Sequence, residues 1–199
     1  MMEAYRLGVK VFVEPPAASG ALRSEEFIPV FHRWIQNRRL AETLIDVADY
    51  GHVHQGPGVV LIGHAANYAL DFDEGLPGLL YVRKRPAEGA FAERLAETFR
   101  AALHAARLLE EEPGLAGKLR FGAARIRFRI HDRLLAPNGS ATLAAVRPAL
   151  EAIGARVHGG AAVTLHPLFE DPRALFTVDV VGPGALDVAT AEARLGGGT

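Results

Sequence analysis

The run from Asp46 to His64, DVADYGHVHQGPGVVLIGH, gathers two carboxylates, three histidines, a tyrosine and a Gly-Pro-Gly turn into nineteen positions. His52 and His54 stand two apart, so on a strand their imidazoles share one face. A same-face pair of imidazoles suits a divalent metal such as Zn, Fe, Mn or Cu, with Asp49 or Asp46 adding an oxygen ligand. His52, His54 and Asp49 are therefore the candidate metal ligands. His64, Tyr68 and Asp71 surround the next turn, where a histidine near a carboxylate can act as a base and a tyrosine as an acid. Tyr50, His52, His54, His64 and Tyr68 form the candidate ligand-binding set. Each has a plainer reading, as an exposed strand residue or a turn stabiliser. His64 also closes a strand of about six residues, which carries it roughly 20 Å from the Gly56-Pro57-Gly58 turn.

The His-x-His spacing resembles the first metal motif of cupins. The chain departs from that motif where a glutamate is expected and Gln55-Gly-Pro-Gly58 stands instead. Its strong helical patterns do not suit an all-β barrel, so the resemblance carries nothing further. Gly56-Pro57-Gly58 precedes no helical pattern and so is a turn rather than a dinucleotide or P-loop fingerprint.

A second feature competes for attention. Arg125, Arg127 and Arg129 alternate with Ile126, Phe128 and Ile130, placing three guanidinium groups on one strand face. Such a face binds phosphates or carboxylates. Aromatic stacking positions are missing from that side of the strand, which disfavours single-stranded nucleic acid. Acidic residues on neighbouring strands would make it a charge-paired face.

Composition narrows the field. There is no cysteine, which removes disulfides, zinc thiolates, iron–sulfur ligation and a thiol nucleophile. The three serines read as turn or cap residues, so acid–base or metal-assisted chemistry is favoured over covalent catalysis. The net charge of -1 gives no bulk attraction to nucleic acid or anionic lipid. No apolar run approaches the roughly 20 residues of a membrane span, and the N-terminus lacks signal-peptide zones. A cytoplasmic protein with no membrane partner is expected.

The positioning elements follow from periodicity. Strands are expected over 5–14, 43–54, 59–64, 67–72 and 79–83, with 43–83 forming an antiparallel meander. Helical spacing predicts a helix from about Phe27, with Pro29 in its first turn and Ser24 as N-cap. The surest helix covers 91–112, with Leu95, Phe99, Leu103 and Leu108 inward and Arg94, Arg100 and Arg107 outward. A strand or hairpin over 119–135 precedes a helix over 140–153, capped by Ser140, carrying Pro148 and stopped by Gly154. A hairpin of 156–166 with 174–181 and a short helix over 188–195 complete the chain. The expected fold is a single α+β domain over 1–199, a largely antiparallel sheet covered by helices. Both halves, 1–113 and 118–185, contain a strand–helix–strand–strand order, compatible with two ferredoxin-like halves. The expected function is binding of a small molecule or metal at 46–71. The rivals are a structural, homo-oligomerising protein and an anion or nucleic-acid binder acting through 125–129.

Overall fold

The computed structural model describes residues 3–14, 23–51, 53 and 56–196. Their strands are β1 (Leu7–Val13), β2 (Leu44–Asp49), β3 (Val59–Gly63), β4 (Ala66–Asp71), β5 (Gly78–Arg83), β6 (Phe121–Ile130), β7 (Thr164–Pro167) and β8 (Phe176–Val181). The helices are α1 (Phe27–Gln36), α2 (Phe91–Glu110), α3 (Ser140–Val157) and α4 (Val188–Gly196). All eight strands belong to one antiparallel sheet in the order β2-β3-β4-β5-β1-β6-β8-β7. The α+β class expected from periodicity is the class observed.

The path has an internal symmetry. β1–α1–β4–β5–α2 and β6–α3–β7–β8–α4 run alike on either side of the central β1/β6 pair, and the β2–β3 hairpin extends the first half outward.

Alternation divides each strand between two faces. Leu7, Val9 and Val11, Leu61, Tyr68 and Tyr81, and Ile126, Phe128 and Val178 join the helices in one apolar cluster. Phe27, Phe31 and Trp34 supply it from α1, Leu95, Phe99 and Leu103 from α2, Val146 and Leu150 from α3, and Val188 and Leu195 from α4. All four helices thus cover one face. The other face carries the alternate residues. Val60, Ala69, Leu80, Lys10, Arg127 and Asp179 lie in register across six neighbouring strands.

Several boundaries differ from the periodicity. β2 ends at Asp49, well before residue 54. A short 3₁₀ turn over Ser24–Glu26 leads into α1, and Ser24 makes no side-chain cap. α1 starts at Phe27 with Pro29 in its first turn, where the missing N–H has no helical acceptor to lose. Ser140 is the first residue of α3 rather than its cap. α3 runs through Gly154 to Val157, replacing the first part of the strand expected over 156–166. A Cβ at Gly154 would lie 2.6 Å from a Val163 methyl and 2.9 Å from Val180, so this glycine permits close helix–sheet packing. The helix stops instead at Gly159 and Gly160, both at positive φ. Arg94 is buried rather than on the wet side of α2, and its guanidinium donates to the Ala4 carbonyl at 3.1 Å. Among the described residues, no helix is long and apolar enough to cross a membrane.

Candidate functional site

Among the described candidates, Tyr50 and His64 stand at opposite ends of one hairpin. Tyr50 pairs with Gly58 at one end of the β2–β3 hairpin, and His64 pairs with Thr43 at the other. The hairpin separates them by roughly 20 Å. His64 is exposed, and its carbonyl accepts from Arg85 Nε at 3.2 Å. Asp49 caps the following turn, taking the Gly51 N–H at 2.8 Å. His52 and His54 lie outside the described residues, and with them the proposed metal pair. Among the described residues no group of three or more His, Asp or Glu is arranged to hold a metal ion.

Tyr50 lines a cleft of about 650 Å³ with Arg23, Ser24, Phe72 and the Asp73–Gly75 turn. Tyr68 lies on the helix side of the sheet and opens into a different cleft, of about 430 Å³. Volume favours the first cleft and chemistry the second, because in the second the side chains of five separate segments converge.

β4 and β5 build the floor of the second cleft. Tyr68 and Tyr81 face each other in register and meet edge to face, with ring centroids 5.1 Å apart. The residues just before β2 supply Leu40, Ala41 and Glu42. Tyr68 Oη donates to Glu42 Oε1 at 2.8 Å, and the backbone N–H groups of Ala65 and Ala66 donate to Oε2 at 3.0 and 3.2 Å. Glu42 therefore ties the β3–β4 turn to the floor. Burial raises the Tyr68 phenol above its ordinary range, and the Glu42 charge raises it further. Burial pushes Tyr81 up to about 12, against the pull of the nearby Arg83 guanidinium. Both phenols are neutral hydrogen-bonding groups in the neutral pH range.

α2 builds the opposite wall. Glu97, Arg100, Ala101 and His104 fall at i, i+3, i+4 and i+7 and so share one helix face. Arg83 donates to Glu97 at 3.4 Å and to the Arg85 carbonyl at 3.2 Å. His104 Nδ1 lies 2.7 Å from Glu192 Oε1, contributed by α4. The carboxylate accepts only, so Nδ1 carries the proton and Nε2 is left as an acceptor in the neutral ring. Arg107 Nε also donates to Glu192, at 2.5 Å. Burial opposes ionisation of Glu192, but these hydrogen bonds hold its carboxyl below the usual range. Each carboxylate of the cleft is thus engaged by protein donors. Arg100, at the rim, makes no hydrogen bond or ion pair with any described residue.

Of the residues lining this cleft, sequence reasoning singled out only Tyr68. The available signal was the spacing of Arg100 and His104, which puts them on one helical face. Nothing in the sequence joins that face to Glu42, Tyr81 or Glu192.

The arginines of the rival strand lie on the face opposite the helices, and all three guanidinium groups are paired. Arg125 NH2 donates to Asp179 at 2.6 Å, and Arg127 Nε donates to Asp179 at 2.7 Å. Arg129 lies 3.6 and 3.7 Å from Glu74 and Asp73. Phe12 sits among the cations, its ring centroid 4.6 Å from the Arg125 guanidinium carbon. Beside them Lys10, fully buried, reaches Asp71 at 3.0 Å.

Comparison with known proteins found no matching family model, no matching curated protein and no matching solved structure.

Proposed function

We propose that the protein binds a small organic anion with an apolar body in the cleft between α2 and the β4–β5 floor. The observation that carries this reading is the unpaired Arg100 guanidinium at the rim of a cleft whose carboxylates are already satisfied. An incoming carboxylate or phosphate pairs with Arg100 without displacing a protein partner. Leu40, Ala65, Ala101 and the tyrosine rings offer apolar surface for the body of the ligand. Tyr81 Oη and His104 Nε2 offer polar groups that fix its orientation.

The test is isothermal titration of the purified protein with benzoate, 4-hydroxybenzoate and citrate, repeated with Arg100→Ala and Tyr81→Phe. At least one of these acids is expected to bind. Loss of Arg100 is expected to weaken it by about tenfold, the scale of one charge-assisted contact of about 1.5 kcal/mol. Absence of binding across the panel, or equal binding by Arg100→Ala, overturns the reading.

A further inference from the structure

The face of the sheet opposite the helices holds an arrangement independent of the α2 cleft. Lys10 and Arg127 stand directly opposite each other on the two central strands, a like-charge pairing that costs stability unless it is neutralised. Asp71 of β4 neutralises Lys10 at 3.0 Å, and the groups that neutralise Arg127 come from two different kinds of element. Asp179 projects from β8, next to β6, and accepts from Arg127 Nε at 2.7 Å and NH2 at 3.1 Å. It is nearly buried and belongs to the sheet itself. The third donor, Arg127 NH1, is taken by Glu74 Oε2 at 2.8 Å. Glu74 comes from the turn between β4 and β5, and its other oxygen lies 3.6 Å from Arg129. Asp73 of the same turn lies 3.7 Å from Arg129.

One carboxylate thus spans two neighbouring guanidinium groups, as a bound oxyanion does. The backbone holds it there at a cost: Glu74 has φ +60, a left-handed conformation that disfavours non-glycine residues. The turn also forms one wall of the 650 Å³ cleft, and a Cβ at Gly75 would meet nothing within 4 Å. Open space therefore lies on its outer side. Arg127 is 2% exposed with Glu74 in place, while the Glu74 side chain is 44% exposed. The buried partner is the arginine, and the exchangeable one is the turn.

We propose that Arg127 and Arg129 form a binding site for a small oxyanion, a phosphate group being the simplest, and that Glu74 with Asp73 occupies this site as an internal plug. The anion replaces the Glu74 carboxylate between the two guanidinium groups, and the turn swings toward the cleft. Asp179 stays in place and holds Arg127 in position throughout. In the closed protein, apparent affinity is reduced by the fraction of molecules in which the turn is displaced.

Inorganic phosphate, titrated calorimetrically at constant ionic strength, tests this in four forms of the full chain. These are the parent, Glu74→Gly, Asp73→Asn/Glu74→Gln, and Glu74→Gly/Arg129→Gln. Glycine at 74 removes the carboxylate and also relieves the left-handed backbone, so that variant is expected to fold; the Asn/Gln pair preserves side-chain shape as a second route. Both are expected to bind phosphate at least about tenfold more tightly than the parent, the factor for a site closed nine times in ten. Adding Arg129→Gln is expected to abolish the gain. The proposal is overturned if cooperatively folding variants bind phosphate no better than the parent, or if the gain survives Arg129→Gln.

Discussion

His131 follows directly on β6 and donates its backbone N–H to the Arg6 carbonyl at 2.8 Å. Its imidazole lies against Gly8, where an added Cβ would come within 2.6 Å of Nε2. That nitrogen is buried and has no hydrogen-bond partner. Burial lowers the imidazole to about 4, and the positive charges of Arg129 and Arg6 push in the same direction. The folded protein therefore holds His131 neutral down to a pH at which the unfolded chain is already protonated. Between pH 6.5 and pH 4 the unfolded state binds more protons, so stability falls as the pH falls through that window. This depression corresponds to roughly 3 kcal/mol in full, most of which is lost by pH 4.5. The experiment is urea denaturation at pH 7.5, 6.5, 5.5 and 4.5, with His131→Asn as the comparison. Other titrating groups contribute to both proteins, so the difference between them isolates His131. The parent is expected to lose roughly 2–3 kcal/mol more than the variant between pH 7.5 and 4.5. A difference that stays flat across this range refutes the buried, neutral imidazole.

Two further predictions concern the network that supports each face. The Lys10 stem crosses β5 at Gly78, where a Cβ would lie 2.9 Å from Lys10 Cε, and so reaches Asp71 on β4. Burial lowers the Lys10 ammonium despite the opposing pull of Asp71. Lys10→Met is therefore expected to cost about 3–5 kcal/mol by stranding a buried carboxylate, and Lys10→Met/Asp71→Asn to recover most of it. A urea double-mutant cycle that shows no recovery contradicts the pairing. On the helix side, Glu42→Ala leaves the Tyr68 hydroxyl and two N–H groups of the β3–β4 turn without their acceptor. It is expected to cost about 2–3 kcal/mol, against about 1 kcal/mol for Tyr68→Phe; equal losses in thermal unfolding of the two variants would show that the turn does not depend on Glu42.

What the sequence determined is what depends on near neighbours. Apolar residues at period two marked β1, short unbroken apolar runs marked β3 and β5, and apolar residues at helical spacing marked α1 and α2, because each element must turn apolar surface to a core. Pro29 placed the start of α1 at Phe27 through its missing N–H. Alternation alone put Arg125, Arg127 and Arg129 on one face. Local chemistry misled where tertiary contact decided instead. Gly154 carries the mark of a helix stop, yet it lies inside α3 because Val163 and Val180 occupy the space of its Cβ. Arg94 fits the polar stripe of α2 by spacing, yet it is buried against the Ala4 carbonyl. The contacts that assemble the candidate site belong to this second class. Glu42 meets Tyr68 across 26 positions, and His104 meets Glu192 across 88. Arg127 meets Glu74 and Asp179 from opposite directions in the chain. No period or spacing records such pairs. They exist because the strand order places β5 beside β1 with β4 next beyond it, and β8 beside β6, and because α4 packs back onto α2.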